Sequence, residues 1–269
     1  MKIIACIKQV PDPETPSTEY RIDQEAKRIV LPKDVPLVIS PFDANAVEAG
    51  IQLKEEIEGT LTVISLATTP TPEIIRDLRH TLAMGADQAI LLDDPAFKGG
   101  DSHSTAYSLA MAIKTLGEYD LILCGRQAAD TNAGQTGMGI SEFLGLPCVT
   151  VARKIDITGN TATVERVINN GYETVEVALP TVITVSNELG QARYPSIKNI
   201  AKSNSIKPVI WQPSDIGLKP EACGMLARRI RTASLYLPVF EATCEVVVGE
   251  TIQEAAQNLA VRLRLERIL

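Results

Sequence analysis

Two histidines (His80 and His103) and five cysteines (Cys6, Cys124, Cys148, Cys223 and Cys244) are the side chains of this 269-residue sequence best suited to nucleophilic, acid–base or metal chemistry. Their spacing assembles none of these. No C-x-x-C pair occurs, neither histidine has a His or Cys at metal-ligand spacing, and no G-x-S-x-G elbow is present. Three cysteines sit inside apolar runs, where a free thiol packs as a small hydrophobe. Reduced, structural thiols in a reducing compartment are therefore expected. His103, within DSHSTAYS, reads as a helix-start residue, with a catalytic role as the alternative. Neither a metal site nor a catalytic residue is predicted.

Chemistry of another kind is written into residues 124–147, CGRQAADTNAGQTGMGISEFLGLP. This segment joins an apolar run to a helix predicted to start around Gly137. Its four glycines, Gly125, Gly134, Gly137 and Gly139, let backbone come close to a ligand. Free amides at a helix N-terminus, beside Gln135 and Thr136, suit a phosphate. A plain glycine-rich connection is the alternative. No G-x-x-x-x-G-K-[ST] occurs, and the first strand is followed by KQVPDPETP rather than G-x-G-x-x-G, so a P-loop ATPase and a tight dinucleotide turn are both disfavoured. Asp130, the one acidic residue of the loop, suits two roles equally: orienting backbone amides or binding a ribose.

Such a loop needs a scaffold at its roots. Residues 2–7 (KIIACI) form a short continuous apolar run, the pattern of a strand buried on both faces. Residues 60–66, 87–92 and 120–124 repeat it. Between the first two runs, SPFDANAVEAGIQLKEEIEG predicts a helix. Ser40 can cap it, Pro41 suits the first helical position, and Asp43 favours its positive end. PEIIRDLRHTLAMG and SHSTAYSLAMAIKTLG predict two more helices, with Gly85 and Gly117 at their ends. Strands alternating with helices over residues 1–150 mean a parallel sheet with right-handed crossovers. With strand order 3-2-1-4-5, the sheet reverses between the first and fourth strands, and loops 8–16 and 125–136 flank a ligand crevice there. That geometry is a reason to expect a nucleotide.

Beyond Pro147 the pattern changes to alternating strands at 148–157, 161–170 and 172–179, separated by Gly159-Asn160 and Asn170-Gly171. The apolar run 181–186 is placed to return to the main sheet. Residues 187–220, punctuated by Pro195, Pro208, Pro213 and Pro220, suggest an extended surface segment. Thr251-x-x-Glu254 is a capping box opening a last helix whose Ala255, Leu259 and Leu263 form an apolar stripe.

Composition narrows the setting. With 45% hydrophobic and 22% charged residues the chain is a globular protein, and with 4% aromatics its core must be built from Ile, Leu, Val and Ala. A net charge of −7 argues against a nucleic-acid surface. No apolar run approaches the ~20 residues that span a bilayer, and the five-residue apolar stretch in MKIIACIKQVPD is too short for a signal peptide. A cytoplasmic location is expected.

KIIACIKQVPD, SPFDANAVEAGIQLKE, TLAMGAD, CGRQAADTNAGQTG with LGLP after it, and NGYETVEVALPTVITVSNELGQARYPSIKNI together resemble the electron transfer flavoprotein β-subunit family, which includes FixA. The resemblance runs in order over residues 1–205 and is weaker over 206–269. It implies an α/β, Rossmann-like parallel sheet with a β-hairpin addition and a C-terminal extension. Residues 1–205 would be the nucleotide-binding domain, and 206–269 an arm and helix packing on a partner. It also implies a heterodimer with an FAD-carrying α subunit, an electron carrier between flavoprotein dehydrogenases, such as acyl-CoA dehydrogenases, and an acceptor.

By the same resemblance, Cys6, Ser40, Leu66 and the loop from Gly125 to Thr136 hold an adenylate, with phosphate on Thr131, Asn132, Ala133, Gly134, Gln135 and Thr136. Gln135-Thr136-Gly137 is similar to AMP-binding members; bifurcating members carry Val-Gly-Pro where this chain has Thr136-Gly137-Met138. AMP is thus the preferred occupant. Gly125-Arg126-Gln127 and the C-terminal helix resemble branches in which a second FAD is common, so an electron-bifurcating flavoprotein with an NADH-reactive FAD here is the alternative. A stand-alone nucleotide-binding sensor is a further one. Phe42 matches a position beside the partner's flavin ring, or simply staples its helix. Residues 193–202 correspond to a docking loop for dehydrogenases, with Arg193, Tyr194 and the apolar anchor Ile197; a bare surface loop is the alternative.

Overall fold

The computed structural model describes residues 1–32, 34–67, 72–237 and 244–269. The chain forms two compact units, Met1–Arg21 with Ile29–Ala233, and Ile22–Arg28 with Ser234–Leu269.

The larger unit is built on a nine-stranded sheet: β1 (Lys2–Ile7), β2 (Thr60–Ala67), β3 (Gln88–Asp93), β4 (Leu121–Gly125), β5 (Cys148–Thr158), β6 (Thr161–Ile168), β7 (Gly171–Ala178), β8 (Thr181–Val185) and β9 (Val209–Trp211). Their spatial order is β7-β6-β5-β8-β4-β1-β2-β3-β9. The expected parallel series is therefore present as β3-β2-β1-β4-β8, with the first and fourth strands side by side in the register Cys6 to Cys124. The apolar runs become these strands because both faces are covered. Ile3, Ala5, Ile7, Leu121 and Leu123 pack with Ala46, Val47, Ile51, Leu78 and Leu82 on one side. Ile4, Cys6, Ile122 and Cys124 pack with Ala106, Leu109, Ile113 and Ile140 on the other. Burial of this aliphatic surface on two faces is the main favourable term in the fold.

The helices of the first side are α1 (Pro41–Ile57) and α2 (Pro72–Met84); those of the second are α3 (Ser102–Leu116) and α4 (Thr136–Leu144). The third helix starts on a reciprocal cap. The Asp101 carboxylate accepts from Ser104 N at 2.9 Å, and Asp101 N donates to Ser104 Oγ at 3.1 Å. Asp101 also accepts from Arg229 N and Ile230 N at 2.7 and 2.8 Å. Although burial alone would push its carboxyl up, these amides outweigh it and hold the pKa at about 2. The β-hairpin addition is β5–β6–β7, antiparallel throughout, with β5 joined in parallel to β8.

Residues 187–220 depart from the extended surface segment expected of them. They contain a helix, Ile197–Ser203, and β9, which pairs in parallel with β3. Val209, Ile210 and Trp211 have β propensity, while Pro208 and Pro213 confine them to a three-residue edge strand.

In the smaller unit, the helix Ile252–Leu265 begins where Thr251 Oγ1 accepts from Glu254 N at 3.2 Å. The Glu254 carboxylate reaches back to Glu250 N, at 2.8 Å. Arg262 bridges Glu245 at 3.1 Å. None of the helix residues is buried.

Candidate functional site

The chain leaves β1 toward α1 and β2 on one side, and leaves β4 toward α4 and β8 on the other. The two connections diverge from neighbouring strand ends, which is the geometry that opens a crevice in a doubly wound sheet. The first turn of α1 is wedged at this point. Asp43 Oδ2 accepts from Lys8 N at 2.8 Å, immediately after β1, and Asp43 Oδ1 accepts from Gly125 N at 3.0 Å, the last residue of β4. One carboxylate thus spans the roots of both loops. Asp43 is buried, and desolvation lifts its pKa from 3.8 to about 7 against the lowering effect of the two amides. Gly125 is required by the same contact: a Cβ there would fall against Asp43 Oδ1 and 2.7 Å from the Phe42 carbonyl carbon.

Ser40 does not cap α1. Its hydroxyl accepts instead from Ala129 N at 3.3 Å, tying the 125–136 loop to the segment before the helix. Asp130 makes a contact that neither of its two sequence readings named. Both its oxygens face Lys8 Nζ, at 2.6 and 2.7 Å, so the tip of one crevice loop is clamped to the root of the other. Within the loop, Asn132 N donates to Ala128 O at 2.9 Å, and Asn132 Oδ1 accepts from Gln127 Nε2 at 3.0 Å. Thr131, Asn132, Ala133 and Gln135 are exposed, while Gly134 and Thr136 are half-buried. Thr136 is the first residue of α4, and Gln135 before it makes no side-chain capping bond. The helix start can therefore offer its amides outward. Gly137 lets α4 settle on the sheet, because a Cβ there would lie 2.6 Å from Thr184 Cγ2.

Cys6 and Cys124 are buried neighbours at the strand ends, and Leu66 is half-buried near the end of β2, two residues past Ile64, the partner of Cys6. The adjoining Cys6 thiol and burial push the Cys124 thiol well up, which makes it inert packing rather than a nucleophile. Phe42, half-buried, lies under the Arg126 guanidinium at 4.9 Å. Arg126 Nε is buried without a hydrogen-bond partner among the described residues, and so is Ser65 Oγ. Cys6, Ser40, Phe42, Leu66 and the 125–136 loop thus converge on the carboxyl ends of β1, β2 and β4.

Arg193, Tyr194 and Ile197 lie apart from that crevice, and their side chains divide. Tyr194 and Ile197 are 95% and 87% exposed. Arg193 is committed within the chain, to Glu48 at 2.9 Å and Glu55 at 2.7 Å. Those two carboxylates raise its pKa further, and Arg193 in turn lowers that of Glu55.

Sequence reasoning missed the Asp43 bridge, the Lys8–Asp130 clamp and the Arg126–Phe42 stack. The available signal was charge near fully apolar runs: Lys8 after β1, Asp43 in the first turn of α1, and Arg126 after β4. A separate concavity of about 550 Å³, lined by Met1, Lys2, Gly117, Glu118, Tyr119, Asp120 and Pro180, opens at the amino ends of β1 and β4, away from these residues.

The electron transfer flavoprotein domain family matches residues 28–215. An electron transfer flavoprotein subunit beta from Thermoanaerobacterium thermosaccharolyticum is 40% identical over 270 residues, covering all of both chains. The caffeyl-CoA reductase-Etf complex subunit CarD of Acetobacterium woodii is 38% identical over 269 residues, again covering both in full. Protein FixA of Bradyrhizobium diazoefficiens is 32% identical over 267 residues, covering 96% of this chain and 90% of its own. The similarity spans the crevice, the hairpin and, for the first two, both ends of the chain. This protein accordingly belongs to the electron transfer flavoprotein β-subunit family that includes FixA.

Proposed function

We propose that the chain is the β half of a cytoplasmic heterodimer with an FAD-carrying α subunit. It passes electrons between flavoprotein dehydrogenases, such as acyl-CoA dehydrogenases, and an acceptor, and it holds AMP in its own crevice. The observation that carries this reading is the convergence of Cys6, Ser40, Leu66 and the loop from Gly125 to Thr136 at the point where the sheet reverses, with an uncapped helix start beside them. The donor set fits a nucleotide: exposed backbone from Asp130 to Ala133, the Thr136 hydroxyl, and amides at the positive end of α4 suit a phosphate. The base and ribose would lie over Cys6 and Leu66, with Ser40 at the edge.

When bound, flavin supplies the redox chemistry; the protein supplies position and field. In this subunit Phe42 and Arg126 would offer an aromatic face and a positive charge to one side of the partner's flavin. Exposed Tyr194 and Ile197 would dock the dehydrogenase. The arm of residues 206–269 would pack on the α subunit, a role that fits the exposed Val246, Val248, Ile252, Leu265 and Ile268 near its end.

The full-length likeness to a subunit of a caffeyl-CoA reductase-Etf complex favours a second reading, in which the crevice holds a second, NADH-reactive FAD. Purifying the heterodimer, denaturing it and counting released nucleotides separates the two. One FAD and one AMP per dimer is the expected result; two FAD and no AMP overturns the first reading for the second. A stable monomer that binds ATP without an α subunit, seen by size measurement, would overturn both in favour of a stand-alone nucleotide sensor.

A further inference from the structure

We infer that Asp43 is a positioning residue: its ionised carboxylate, bridging Lys8 N and Gly125 N, holds the roots of the two crevice loops together, and its protonation loosens them. This rests on the reading of the crevice as the nucleotide site, because the consequence of loosening is a weaker hold on the ligand.

The geometry requires both oxygens to accept. Oδ2 faces one N–H at 2.8 Å and Oδ1 the other at 3.0 Å, from the ends of two neighbouring strands. A carboxylate has acceptor capacity for both donors. A neutral carboxylic acid must carry a proton on one oxygen, which weakens that acceptor and leaves a buried O–H to be satisfied. The bridge is thus strongest in the charged form, although burial disfavours that form and places the transition near pH 7. The charged groups acting on it are the Lys8 ammonium, which favours ionisation, and the Asp130 carboxylate, which opposes it. Cys124, beside it on β4, feels the Asp43 charge in turn. A Cβ on Gly125 would fall against Asp43 Oδ1, so the bridge needs this position free of a side chain.

The loops rooted here carry every adenylate contact proposed above except Cys6 and Leu66. Lys8 leads into the strand Gln9–Pro11, which pairs with Leu37–Ile39 just before Ser40. Gly125 opens the loop that Ser40 and Lys8 hold at Ala129 and Asp130. Loosening one amide would widen the crevice from both sides.

The test uses the complete heterodimer. Hydrogen–deuterium exchange of peptides containing Lys8 and Gly125 is compared at about pH 6 and about pH 8.5, corrected for intrinsic rates, beside equilibrium dialysis with AMP. Protection in both peptides is expected to fall about tenfold on going to the lower pH, with AMP affinity falling in parallel. Asp43→Asn, which offers an amide N–H to one of the two donors, should show the low-pH behaviour at both values with no trend. Wild-type protection that is unchanged with pH, or an Asn variant as protected as wild type at pH 8.5, overturns the inference. The wild-type scan decides the matter even if the variant does not fold. Wild-type complex that neither carries nor takes up nucleotide at pH 8.5 would overturn the nucleotide reading instead, and the exchange data would still settle the bridge.

Discussion

Arg193 Nε lies 2.9 Å from a carboxylate oxygen of Glu48, whose side chain is 5% exposed in the body of α1. The Arg193 backbone amide reaches the same carboxylate at 3.1 Å, and the far side of the guanidinium pairs with Glu55, two turns further along the helix. One side chain therefore fixes the base of the segment that presents Tyr194 and Ile197. The helix it grips is the one that carries Phe42 and Asp43 at its start.

Arg193→Ala should destabilise the protein by about 2–3 kcal/mol, because it leaves the buried Glu48 charge without its guanidinium, held only by the backbone amide of residue 193 and the Gln52 side-chain amide. Denaturant midpoints will read this. Arg193→Lys should recover only part of the loss, since an ammonium cannot span both carboxylates as the planar fork does. A variant as stable as wild type would show that Glu48 finds another partner.

Asp101→Ala removes an acceptor for three backbone amides, at the start of α3 and at residues 229 and 230. A loss of about 1–3 kcal/mol is expected, one capping bond plus two tethers. The wild-type contribution has a definite pH signature. The folded pKa of about 2 lies below the unfolded value of 3.8, so the stabilisation is full above about pH 4 and disappears as pH falls through 2. Thermal melts of wild type and variant should converge over that interval.

Gly125→Ala adds a methyl group where Asp43 and the Phe42 carbonyl already sit. Relieving the overlap must push the first turn of α1 outward, at about 1–3 kcal/mol. Nucleotide affinity should fall as well. Melting and AMP dialysis on the same preparation check both effects; wild-type values in both would mean that the helix start yields freely.

Thr136→Val keeps the shape of the first residue of α4 and deletes its hydroxyl. If that hydroxyl donates to a phosphate, AMP binding should weaken by about 1.5–3 kcal/mol, roughly ten- to a hundredfold. Unchanged nucleotide content and affinity would remove Thr136 from the phosphate site.

The sheet was legible from the residues because each strand between two helix layers must be apolar throughout. KIIACI, TLTVISL and DLILC satisfy that condition; Gly159-Asn160 marks the first hairpin turn, while the second falls at Asn169-Asn170, one residue before the expected Asn170-Gly171. The short β9 was hidden, since three apolar residues between prolines carry too little periodicity to tell an edge strand from a loop. The loop at 125–136 also announced itself, through its glycines and the helix start that follows them.

What the sequence determined by itself is thus the α/β sheet, the order of its parallel core, and the glycine-rich segment that leads from β4 into α4. These depend on local pattern, period and chain connectivity. Only the tertiary structure decided which charges meet: Asp43 with the amides of Lys8 and Gly125, Asp130 with Lys8, Arg193 with Glu48, and Arg126 with Phe42. All of these join residues 35 or more positions apart in the chain, and the energy of each depends on a separation of about 3–5 Å and on local burial, neither of which sequence spacing encodes. Serine before a helix reads as a cap in any sequence; that Ser40 instead holds Ala129 follows from where the fold brings the second loop.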